Sequence, residues 1–176
     1  MTRRYVLILW LLAGVAVHAE PDLSVTPLAR DGHVLVSFEL NDGFTDEVRD
    51  AIQSGLATTF LYDIELRRGA VTWFDRTIAE VTITTTVHFD NLTRRYQMSR
   101  TVDGRVEDAR PTEDQGAMRR FMTQFVRIPL STTSVLETNA EYYVRIRAHT
   151  RPHNSWFFWP WDHGSTLGHA KFTYIP

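Results

Sequence analysis

The chain has 176 residues, no cysteine, and 19 basic against 21 acidic residues, for a net charge of −2. The lack of cysteine excludes a disulfide framework, and the slight acidity argues against a nucleic-acid partner, because such binding depends on clustered lysine and arginine. A domain of about 150 residues buries roughly 70% of its unfolded surface, so this length suffices for a hydrophobic core.

The N-terminus has the layout of a secretory signal. Arg3 and Arg4 precede an apolar run at 5–17, and the small residue Ala19 follows at a cleavage position. The run is shorter than the roughly 20 residues that cross a bilayer. We therefore expect cleavage after Ala19 and a single periplasmic domain at 20–176. The alternative is an uncleaved N-terminus that anchors the domain to the inner membrane.

Alternation of apolar and polar residues with a period of two predicts most of the secondary structure. Asp-Gly pairs at 31–32 and 103–104 indicate tight hairpin turns. Pro27 places the first strand at a sheet edge, because proline cannot donate a ladder hydrogen bond. The predicted strands are 23–30, 33–40, 56–66, 79–89, 92–102, 105–110, 141–150 and 171–175.

Two helices are predicted between these strands. The first covers 46–54, with Thr45 as its cap and Gly55 at its end. The second follows a capping-box pattern that begins at Thr112 and stops before Pro129. Its apolar residues recur at helical spacing and predict a face packed on the sheet: Met118, Phe121, Met122 and Phe125. The expected fold is mainly β, an antiparallel β-sandwich or strongly curved sheet with both helices on one side or end.

No motif predicts a catalytic, metal or cofactor site. Four histidines and Asp162 lie close together near the C-terminus, but Pro152 interrupts any helix that would pair the first two as ligands. These histidines are His149, His153, His163 and His169. The chain contains neither the G-x-S-x-G motif of α/β-hydrolases nor a glycine-rich phosphate loop. We therefore expect no cofactor.

Arginines are concentrated between residues 94 and 127, where they alternate with acidic residues. The arginines are Arg94, Arg95, Arg100, Arg105, Arg110, Arg119, Arg120 and Arg127. Glu107, Asp108, Glu113 and Asp114 lie among them. Mixed charge of this kind indicates a salt-bridged, solvent-exposed face, and an anionic-ligand site is the alternative.

The most unusual segment is aromatic. Tryptophan and phenylalanine bury large rigid surfaces at interfaces, so we interpret this segment as a partner-binding surface. A loop that folds back to close the core is the competing interpretation. The residues concerned are Trp156, Phe157, Phe158, Trp159 and Trp161.

Four stretches, at 62–66, 73–76, 89–96 and 141–147, resemble a family of small exported bacterial proteins catalogued as a domain of unknown function (number four-three-nine-zero). The resemblance implies one β-rich exported domain and no established activity. Members are often encoded beside nitrogen-type two-component sensor kinases, which implies a membrane sensor as a partner.

From these features we expect a non-enzymatic periplasmic interaction module. It would dock on an inner-membrane protein such as a sensor kinase through the aromatic segment, with peripheral membrane contact as a further expectation. The alternative is a periplasmic hydrolase or small-ligand binder with a cleft near the late histidines and the aromatic segment.

Overall fold

The computed structural model describes residues 22–69, 76–152 and 166–176. The expected signal segment and the aromatic residues at 156–161 lie outside these ranges. No helix in the described part of the chain is long and apolar enough to cross a bilayer. The elements are β1 (Leu23–Arg30), β2 (His33–Leu40), α1 (Asp46–Gln53), β3 (Thr58–Arg68), β4 (Arg76–Asp90), β5 (Arg95–Val102), β6 (Arg105–Thr112), α2 (Gln115–Thr123), β7 (Gln124–Thr132), a 3-10 helix (Thr133–Val135), β8 (Glu141–Pro152) and β9 (Thr166–Thr173).

The strands form two antiparallel sheets. The smaller sheet has the order β1-β2-β7 and the larger has the order β6-β5-β4-β3-β8-β9. In the centre of the larger sheet, Ile64 of β3 lies between Val81 of β4 and Ile146 of β8. The mainly β, antiparallel fold class with two helices is therefore confirmed.

Alternation along each strand builds the core. Val34, Val36, Phe38 and Leu40 of β2 are buried, as are the alternate residues of β3 from Phe60 to Leu66. At the centre the Phe38 and Phe125 rings stack with centroids 4.4 Å apart, and Tyr62 meets Phe125 edge-on at 4.8 Å. The Tyr62 hydroxyl donates to the Met122 carbonyl at 2.7 Å, which satisfies its buried polar atom.

The first helix forms where the sequence predicts it. Thr45 caps it by accepting a hydrogen bond from the Val48 N–H, and the acidic residues Asp46 and Glu47 favour its positive N-terminal end. Ile52 is its buried contact. The helix packs against β3 and β4.

The second helix differs from the prediction at both ends. Asp114, and not Thr112, is the N-cap, and its carboxylate accepts from the Gly116 N–H at 2.7 Å. The helix ends at Thr123, and Phe125 belongs to β7, a strand that the helical spacing concealed. Strand pairing with β2 explains the change: it places Phe125 beside Phe38. The β-branched residues Val126 and Ile128 also favour an extended chain.

Among the strands of the described ranges, three of the four at sheet edges contain a proline. Pro27 lies in β1, Pro129 in β7 and Pro111 in β6, and each of these strands is at the margin of its sheet. The position predicted for the first strand is thus confirmed. The fourth edge, β9, runs close to β1: a Cβ on Gly168 would lie 2.9 Å from the Leu23 carbonyl oxygen. Only glycine permits this approach.

Candidate functional site

The aromatic residues Trp156, Phe157, Phe158, Trp159 and Trp161 lie outside the described residues, but the strands that flank them are described. β8 ends at Pro152 opposite Thr58, the first residue of β3. β9 begins at Thr166 opposite Ala148. The segment 153–165 therefore connects two neighbouring strands, and it leaves β8 at the end of the larger sheet where β3 begins.

A rigid turn lies at the same end of this sheet. Residues 90–94, which we call the 90–94 turn, connect β4 to β5. The Asp90 carboxylate accepts hydrogen bonds from the Leu92 N–H (2.9 Å), the Thr93 N–H (3.3 Å) and the Thr93 hydroxyl (2.8 Å). These bonds, led by that of the Thr93 hydroxyl, lower the pKa of Asp90. The carboxylate thus stays ionised and holds the turn in one shape.

The 90–94 turn exposes an aliphatic side chain. Leu92 is 96% exposed, the largest value among the exposed large hydrophobic residues of the described chain. Leu56, which precedes β3, is 43% exposed. The two connections are adjacent, because a Cβ on Gly55 would lie 3.3 Å from Nδ2 of Asn91. Sequence reasoning missed Leu92 because it assigned this residue to a strand, which in fact begins at Arg95.

The outer face of the larger sheet carries a different candidate, a charged strip. We define the charged strip as Asp63, Glu65 and Arg67 of β3 with Arg145, Arg147 and His149 of β8. The antiparallel register places Glu65 opposite Arg145 and Asp63 opposite Arg147. The sequence contained this signal, because the alternating charges of 63–67 and 145–149 complement each other across paired strands.

Glu65 is the centre of the charged strip. Its carboxylate accepts from Arg145 at 2.6 Å and from Arg67 at 3.0 Å, and Arg147 lies 3.7 Å away. The side chain is only 12% exposed. Burial raises the pKa of Glu65, but the hydrogen bonds and charges of Arg145 and Arg67 together outweigh burial and lower it. The Glu65 carboxylate is therefore satisfied by other members of the strip.

One contact in the charged strip resembles a part of a catalytic site. Nε2 of His149 lies 3.7 Å from a carboxylate oxygen of Asp63, and the Thr82 hydroxyl donates to the same carboxylate at 3.3 Å. In catalytic triads, a carboxylate beside a histidine orients the imidazole, which then acts as the general base. His169 lies on β9 opposite Arg145, while His153 and His163 fall outside the described residues. Within the described ranges no cluster of three or more metal-ligating side chains occurs.

Four arginines of the predicted cluster have contacts of two different kinds. Ion pairs join Arg95 to Glu113, Arg110 to Asp108 and Arg120 to Asp114, at 2.9, 3.5 and 3.7 Å. Arg100 instead points inward.

The Arg100 guanidinium lies 4.5 Å from the ring centroids of both Phe121 and Phe125. It also donates to the Phe121 carbonyl at 2.7 Å. Burial lowers the pKa of Arg100. Arg100 therefore fastens β5 to α2 and β7 through cation–π contacts, a role that alternating charge in the sequence could not reveal.

A family model described as Domain of unknown function (DUF4390) matches residues 22–153. The aromatic residues at 156–161 lie beyond the matched range. No curated protein and no solved structure matches the chain significantly.

Proposed function

The chain belongs to the DUF4390 family, and from that premise we propose that it is a non-enzymatic interaction module of the periplasm. It docks on an inner-membrane protein, such as a sensor kinase, through the aromatic residues at 156–161. The observation that carries this proposal is the position of the flanking strands. β8, from which the segment starts, ends at Pro152, at the same end of the six-stranded sheet as the 90–94 turn.

A rigid base favours binding by the aromatic segment. β3 and β4 pair along the full length of β3, from Thr58 opposite Val87 to Arg68 opposite Arg76. β8 continues that ladder on the other side of β3. A loop that starts from such a ladder loses less conformational freedom on binding than one that starts from a mobile region. Three tryptophans in six positions also provide the residue type most enriched at binding hot spots.

The sheet edges offer little to a partner. A peptide that adds to a sheet needs an edge strand with free N–H and C=O groups. Pro27, Pro111 and Pro129 each remove a donor from a marginal strand, and β1 runs close to β9. The edges therefore disfavour strand addition, which leaves the end of the larger sheet as the better docking surface.

The charged strip is also a weaker docking candidate. Glu65 already accepts hydrogen bonds from two arginines, so a partner would have to replace existing contacts in addition to forming new ones. By contrast, burial of one aromatic side chain contributes about 2 kcal/mol or more at a hot spot.

The test is a double substitution, Trp159→Ala with Trp161→Ala, in the full chain. We expect a melting temperature within a few degrees of the unchanged protein, because exposed side chains add little to folding. Capture of the inner-membrane partner from solubilised membranes should weaken by about 2 kcal/mol or more, roughly thirtyfold. Val106→Ala, at an exposed residue of β6, is the control for both measurements.

A large loss of stability in the double variant would contradict the proposal, because it would mean that the two tryptophans close the core. Unchanged capture with an unchanged melting temperature would also contradict it. In the first case circular dichroism would report unfolding or a strongly lowered melting temperature. In the second case the captured protein would bind a surface that does not include Trp159 and Trp161.

The His149–Asp63 contact supports the alternative, a periplasmic hydrolase or small-ligand binder. The measurement that separates the two functions is a thermal-shift screen with small-molecule ligands. A compound that raises the melting temperature of the unchanged protein but not of His149→Ala would favour the alternative. His149→Ala should leave capture of the membrane partner unchanged if the interaction function is correct.

A further inference from the structure

We draw no further inference here: the strongest candidate, the apolar row that Leu28, Leu35 and Pro129 form across the outer face of the smaller sheet, is an open sheet face, and nothing in the described part of the chain shows what covers it.

Discussion

Truncation of Phe125 should strongly lower the stability of the fold, and the size of the loss tests where this residue lies. Its ring is 2% exposed. It stacks on Phe38, meets Tyr62 edge-on, and supports the Arg100 guanidinium from one side. Truncation of a buried phenylalanine to alanine costs about 3–5 kcal/mol. Each aromatic pair adds about 0.5–1.5 kcal/mol beyond burial, so we expect Phe125→Ala to lower the free energy of unfolding by about 5 kcal/mol.

The matched control is the next residue of the same strand. Val126 is 73% exposed because successive side chains of a strand point to opposite faces and Phe125 points into the core. Val126→Ala should change stability by less than about 0.5 kcal/mol. The assay is urea unfolding followed by circular dichroism. A domain of this kind has only about 5–15 kcal/mol of stability in total, so Phe125→Ala could fail to fold.

Phe125→Leu provides a second variant that should still fold. It keeps most of the side-chain volume, so it should lower the free energy of unfolding by only about 1–2 kcal/mol. Equal losses at Phe125 and Val126 would refute the placement of this segment in β7. So would a loss of less than about 1 kcal/mol for Phe125→Ala. Either result would mean that the ring does not connect the two sheets.

Two further predictions concern export and acid stability. Mass spectrometry of the protein from its host should give Glu20 as the N-terminus; a chain that retains Met1 would contradict cleavage. Glu65→Gln should lower the free energy of unfolding at pH 7. Because the folded pKa of Glu65 is lowered, its contribution is present above the unfolded value of about 4.3 and is lost as pH falls through the folded pKa. The difference between the two proteins should therefore shrink below about pH 4; a constant difference would contradict the assignment.

The strands β2 and β3 could be predicted from the sequence because their burial alternates strictly. In β2 and β3, alternate residues are buried and the intervening ones are not, so a period of two was sufficient. Pairing between strands that are distant in the sequence was harder to predict. β7 pairs with β2 over some 90 residues of separation. Phe125 continues the helical spacing of Met118, Phe121 and Met122, and the β-branched Val126 and Ile128 are only a weak local signal against it. Residues 124–132 form a strand because they pair with β2, with Phe38 opposite Phe125.

The candidate surfaces were predicted to different degrees. The aromatic residues are visible in the sequence by their density alone, although the described residues do not include them. The exposure of Leu92 required knowledge of the turn: Asp90 and Thr93, three residues apart, form the hydrogen bonds that remove Leu92 from its predicted strand. Arg100 could not be assigned inward because its sequence neighbours suggested a solvated face.

The prolines in the edge strands affect how neighbouring copies of the protein associate at high local concentration. A protein held at a surface experiences a much higher effective concentration than one in solution, and exposed strand edges would then join neighbouring copies. At Pro27, Pro111 and Pro129 no N–H exists to begin such a ladder. Neighbouring copies that are packed closely side by side are therefore less prone to join along these three edges.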